Sequence, residues 1–113
     1  MNADEIHFEV IDCKGCKIVC TKEQWFDHIA ARPHEYMEDE EERVKEAIRS
    51  PDFGLRHKDK EYSKRRCYYR KSETEDYYVK VVVEFENENC DGDGRVITAY
   101  MPDDITPGEK PEL

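Results

Sequence analysis

Residues 25–32, Trp-Phe-Asp-His-Ile-Ala-Ala-Arg, set a histidine and an arginine four positions apart. On a helix that spacing is about one turn, so His28 and Arg32 would share a side. Imidazole exchanges a proton near neutral pH, and guanidinium grips phosphate oxygens with a fixed fork of donors. Breaking a phosphodiester that carries its own 2′-hydroxyl needs a base for that hydroxyl, an acid for the leaving oxygen, and cations for the charged transition state. His28 is the candidate acid or base, with Arg32, Arg66 and Lys80 as phosphate holders and Thr98 as an orienting hydroxyl. Arg65, Arg66, Tyr68, Tyr69 and Arg70 form a candidate RNA-binding strip, because aromatic faces stack bases beside cations.

Each assignment has a plainer alternative. His28 could be a buried helix–sheet histidine bonded to a carbonyl. Arg32 could cap a helix end and lay its stem over apolar surface. Thr98 is an ordinary strand former, and the basic run could be a solvated loop.

These side chains need a scaffold, and Tyr77–Glu86 (YYVKVVVEFE) supplies its centre. Val79, Val81, Val83 and Phe85 alternate onto one face, leaving Tyr78, Lys80, Val82 and Glu84 on the other. The density of β-branched and aromatic residues, with no Gly or Pro, predicts a central strand. Residues 5–11 and 17–20 flank an Asp12–Gly15 turn and read as a hairpin. Thr21-Lys-Glu-Gln24 is a capping box, predicting a helix from Lys22 to about Ala31, before Pro33. On an α-helix Trp25, His28, Ile29 and Arg32 would lie in one stripe. A second helix is expected from about Tyr36 to Arg49, apolar at Met37, Val44, Ala47 and Ile48, acidic early and basic late. Ser50 and Pro51 end it, and PDFG reads as a turn into the basic segment. Residues 65–70 and 95–101 are the remaining strands. The order predicts an α+β fold: an N-terminal hairpin, two helices, then a three- to four-stranded antiparallel meander with helices on one face. Residues 1–101 form the expected domain and 102–113, with three prolines, a flexible tail.

A length of 113 residues leaves room for one domain. The net charge of −10 repels polyanions and argues against indiscriminate binding to nucleic acid or anionic membranes. Locally the sign reverses. Arg56–Lys71 carries eight basic residues against Asp59 and Glu61, a net +6, which leaves −16 on the remainder. With no signal-peptide pattern and no run of about 20 apolar residues, the expected location is the cytoplasm, away from membranes. The odd count of five cysteines fits reduced thiols there. Cys13-x-x-Cys16 with Cys67 or Cys90 leaves zinc open, although Cys16 and Cys20, about 13 Å apart if extended, could not share an ion. The CDGDG stretch lacks a glutamate at the twelfth position of a calcium loop and is set aside.

Taken in order, the hairpin turn at Asp12 and Gly15, Val-Cys-Thr at 19–21, Trp25–Glu35, Ser50-Pro-Asp52, Arg66–Arg70, the Val-rich strand and Val-Ile-Thr-Ala-Tyr at 96–100 resemble a family. It is the barnase, EndoU, colicin and RelE-like nuclease superfamily, in its small prophage-associated form, and the resemblance spans about residues 5–101. Trp25, His28, Ile29, Arg32, Pro51, Asp52, Thr98, Ala99 and Tyr100 match the family motifs. Arg32-Pro33-His34-Glu35 exchanges the family's order, so no role is carried onto His34. The resemblance implies a metal- and cofactor-free ribonuclease, toxin-like or RNA-processing, acting on RNA and partnered in some cases by an immunity or antitoxin protein. The alternative is a non-catalytic nucleic-acid or protein binding module of the same fold.

Overall fold

The computed structural model describes residues 5–31, 35–56, 63–104 and 110–111, with backbone alone at 55, 56, 110 and 111. Strands β1 (Ile6–Ile11) and β2 (Lys17–Thr21) pair antiparallel as the expected hairpin. Lys22 and Glu23 enter a π-helical turn, Gln24–Ile29. A 3₁₀ turn, Glu35–Glu40, leads into α1, Glu41–Arg49. Strands β3 (Phe53–Arg56), β4 (Arg65–Lys71), β5 (Tyr78–Phe85) and β6 (Gly94–Tyr100) pair antiparallel in succession. The two-residue β7, Lys110–Pro111, adds to the outer side of β3.

The domain is therefore α+β, but the meander is only part of a mixed sheet ordered β1-β2-β6-β5-β4-β3-β7. The difference lies in β2, which pairs parallel with β6 through Ile18–Gly94 and Val19–Arg95. That contact joins the first hairpin to the last long strand. Among the described residues the helical portion is also slighter than expected, with one nine-residue α-helix beside a π-helical and a 3₁₀ turn.

Alternation along β5 divides the interior. Val79, Val81, Val83 and Phe85 join Phe8, Val10, Ile18, Trp25, Ile29, Met37, Val44, Ala47 and Ile48 in the main core, beneath α1. Burial of each large apolar side chain contributes about 1.5–3 kcal/mol. The apolar face expected of α1 is the one buried, and its acidic start and Arg49 end complement the helix dipole. A smaller cluster, Cys67, Tyr69 and Val82 with Phe53, Tyr78 and Ile97, occupies the opposite sheet face.

One local expectation gives way. Phe53–Arg56 is a strand, since Phe53 pairs across from Tyr69 and stacks on its ring at 5.4 Å. Past Tyr100, the Tyr78 N–H donates to the Pro102 carbonyl at 2.9 Å and β7 pairs with β3.

Candidate functional site

The turn that carries His28 starts as the sequence predicts and then departs. Thr21 Oγ1 accepts from the Gln24 amide at 3.1 Å, which is half of a capping box. The reciprocal half is absent because the Gln24 side chain crosses to β6, where its Nε2 donates to the Ile97 carbonyl. The turn winds with an i→i+5 bond, Ala30 N–H to Trp25 carbonyl at 2.7 Å. Wider winding rotates each residue by less than the α-helical ~100°. Ile29 thus comes almost directly above Trp25, and both are buried, whereas His28 leaves their stripe and is exposed. The expected shared stripe of Trp25 and His28 is not formed. Instead His28 is four residues beyond Gln24, on the flank that Gln24 ties to β6.

Lys80 and Thr98 lie on the sheet face opposite α1. Lys80 pairs across from Tyr100 and Val82 from Thr98, so the two polar residues are diagonal neighbours. A bulge between Val82 and Val83 turns both Ile97 and Thr98 toward this face. Lys80 is only 4% exposed, and its ammonium lies 5.3 Å from the Tyr69 ring centroid and 5.5 Å from that of Tyr100. Two aromatic faces can hold a desolvated ammonium by attraction to their negative quadrupoles. Lys80 is thus a charge beneath the surface, with no direct reach to a phosphate in this conformation. Arg32 lies outside the described residues.

The five-residue RNA-binding strip is divided by strand alternation. Arg66, Tyr68 and Arg70 point to the α1 side, and Arg65 and Tyr69 to the other. Tyr68 and Tyr69 are fully buried, which leaves no ring face for a base, so their stacking role is corrected to a core role. Arg66 is corrected in the same way. Its Nη1 lies 3.3 Å from Asp12 Oδ2, and its Nη2 donates to the Cys90 carbonyl at 3.1 Å. Tyr68 hydroxyl donates to the same Asp12 oxygen at 2.5 Å. Asp12 Oδ1 accepts the amides of Lys14 and Cys16 at 2.9 and 2.7 Å, closing the β1–β2 turn. Burial, with the adjacent Asp12 carboxylate, pushes the Tyr68 hydroxyl well above its ordinary range, against the lowering by Arg66. Of the strip only Arg65, beside Glu84 at 3.3 Å, and Arg70 keep solvent access.

Asp12 is the polar residue that the sequence treats as a mere turn former. The available signal is Asp-Cys-Lys-Gly, which marks an Asx turn but carries no hint of a buried cation 54 residues away. A second polar cluster joins His7, stacked on Trp25, to Glu41 and through it to Lys45. Burial raises Glu41, but the bonds from Lys45 and His7 outweigh it and hold the carboxyl below its usual range.

The five cysteines are free thiols. Burial raises the Cys13 and Cys16 thiols, with Asp12 adding to it, and pushes Cys20 up to about 12. Among the described residues no three His, Cys, Asp or Glu side chains are arranged to hold a metal ion. No described helix is long and apolar enough to cross a membrane. Comparison with protein-family models, curated proteins and solved structures finds no match for this chain.

Proposed function

We propose that this protein is a metal-independent ribonuclease whose working edge is formed by His28, Thr98 and Lys80. The observation that carries the reading is the bond from Gln24 to the Ile97 carbonyl. It fastens the flank of the π-turn on which exposed His28 stands to the strand segment that presents Thr98. Lys80 lies diagonally beside Thr98 on the same face.

In RNA the nucleophile is internal, so the protein need only move protons and stabilise charge. His28 takes the 2′-hydroxyl proton, or gives a proton to the departing 5′-oxygen, and water makes the other of the two transfers. Attack of the 2′-oxygen on phosphorus forms a cyclic phosphodiester as the bond to the 5′-oxygen breaks. Thr98 donates a hydrogen bond to a non-bridging oxygen, and the buried Lys80 ammonium adds positive potential from below the sheet surface. The order of motifs resembling the small prophage-associated barnase, EndoU, colicin and RelE-like nucleases supports the same reading. In a toxin-like setting, an immunity or antitoxin protein would cover this edge, and a cytoplasmic location would suit the substrate.

Incubation of the purified protein with labelled single-stranded RNA in EDTA tests the proposal. Cleavage is expected, with His28→Ala losing it by a hundredfold or more. Undiminished cleavage by a folded His28→Ala protein assigns the chemistry elsewhere.

Burial of Lys80 and Tyr69 favours a second reading, in which the fold is a non-catalytic binding module. Its signature is saturable RNA or protein binding with no cleavage product.

A further inference from the structure

Between the exposed side of α1 and the β4–β5 loop runs a cleft of about 260 Å³, whose lining includes Arg43, Glu46, Arg70, Lys71, Ser72 and Glu73. It lies on the α1 side of the sheet, whereas Lys80 and Thr98 lie on the other. We infer that this cleft binds a phosphate group.

The argument rests on how the two guanidinium groups are held. Arg70 spends one Nη1 donor on the Ser50 carbonyl at 2.5 Å, at the end of α1. Arg43 is fixed by the Tyr77 hydroxyl, 3.5 Å from its Nη1, and by Glu40, 3.2 Å from its Nε. A guanidinium has five N–H donors, so each group is oriented by part of its fork and keeps donors to spare. Among the described residues neither the Arg70 guanidinium nor the Lys71 ammonium has a carboxylate partner, and the Lys71 amide donates to Asp52 Oδ2 at 2.6 Å. Lys71 instead stands 4.9 Å from the Tyr78 ring centroid. Ser72 Oγ accepts from the amides of Thr74 and Glu75 at 3.4 and 3.3 Å, which sets the loop and leaves its hydroxyl proton to donate.

Phosphate is the ligand that matches two oriented forks and a hydroxyl. It presents several acceptor oxygens, and paired arginines recognise it by geometry as well as charge. The carboxylates do not close the cleft, since Glu46 leans toward Arg49 at 3.9 Å and Glu73 is exposed to solvent. The phosphate has two sources, the RNA backbone or a free phosphate compound. The RNA source rests on the ribonuclease reading, with the cleft holding a nucleotide outside the cleavage edge. The free source does not.

The test titrates inorganic phosphate, and separately a short single-stranded RNA, into the full-length protein. His28→Ala, Arg70→Gln, Arg43→Gln and Arg95→Gln are compared with the unaltered chain, with thermal unfolding as the folding check. Phosphate is expected to bind the unaltered protein, the His28→Ala variant and the Arg95→Gln variant alike. Arg70→Gln and Arg43→Gln should each weaken it tenfold or more. If backbone phosphate is the source, these two variants also weaken RNA binding and lower its salt slope by about one. Unchanged RNA binding alongside lost phosphate binding assigns the cleft to a free phosphate compound. No binding of phosphate at millimolar concentration, or equal binding by folded Arg70→Gln and Arg43→Gln proteins, overturns the inference. Phosphate binding that survives in a protein without nuclease activity leaves the cleft standing while the ribonuclease reading falls.

Discussion

Asp12 and Arg66, from the first hairpin and the fourth strand, meet as an ion pair 3.3 Å apart with side chains 0% and 1% exposed. Each charge is satisfied on several sides, by Tyr68, by the Lys14 and Cys16 amides, and by the Cys90 carbonyl. Such a pair holds only as a set, because removal of one partner leaves an uncompensated charge in the core. Arg66→Ala should therefore lower the unfolding free energy by about 3–5 kcal/mol. Arg65→Ala, at a partly exposed surface pair, should lower it by no more than about 1 kcal/mol. Urea unfolding followed by tryptophan fluorescence separates the two. Equal small losses would return Arg66 to the list of nucleic-acid contacts.

Gln24 is a positioning residue in the proposed site. Gln24→Ala removes the tie to Ile97, at a stability cost of about 0.5–1.5 kcal/mol for one net hydrogen bond. With His28 no longer fixed along β6, kcat for RNA cleavage should fall tenfold or more with KM little changed. Gln24→Glu cannot donate to the carbonyl and should not restore the rate. A purely structural Gln24 would give a stability loss with no change in kcat.

Lys80 separates structure from chemistry in the opposite way. Lys80→Met keeps much of the stem volume between Tyr69 and Tyr100 and removes a charge from a buried site. Removing the ammonium ends its desolvation cost together with its hold on the two rings, about 2 kcal/mol when desolvated, and the two offset in part. Tm should change little while RNA cleavage falls. Full activity in this variant would remove Lys80 from the mechanism.

Alkaline pH should weaken the fold by a route that the core itself sets. Cys20, at about 12 when folded and 9.0 ordinarily, and Tyr68, raised from 10.0, stay protonated in the folded protein. Their contribution is whole below about pH 9 and drains away as pH climbs, because the unfolded chain sheds these protons first. The slope is at most about 1.4 kcal/mol per pH unit for each group. Urea midpoints from about pH 8 to 11 should fall, and Cys20→Ala should flatten the early part of that fall. An unchanged profile in Cys20→Ala would place the loss elsewhere.

Gly94 is required by close packing. A Cβ there would come 2.7 Å from both Ile18 Cδ1 and Val83 Cγ1 and 3.0 Å from Phe85 Cε1. Gly94→Ala should cost about 1–3 kcal/mol by overpacking, at the point where β2 meets β6. Thermal unfolding measures it, and Gly94→Ala at wild-type stability would mean that these three side chains have room to move.

Most of the scaffold was readable because it follows simple periods. Alternation located β4, β5 and β6, and the 3.6-residue period located the buried side of α1. Phe53–Arg56 escaped because its four residues carry a turn signal and pair only through Tyr69 and its neighbours. The alternation that divides β5 also divides β4, yet Arg66 and Tyr68 read as surface residues, since nothing local announces Asp12 as their partner. The π-turn escaped for a related reason. Its wider winding accompanies Trp25 and Ile29 packing into the core, and that packing decides where His28 points.

The parallel contact of β2 with β6 carries a consequence for the order of assembly. Residues 6–29 form a hairpin and a turn early in synthesis, but the carbonyl that anchors the turn belongs to Ile97. Until residues 94–100 have been made, β2 lacks its inner neighbour and Gln24 has nothing to hold. The π-turn and β6 are therefore joined among the last events of folding, and a ribosome-bound fragment that stops short of β6 carries the turn without its anchor.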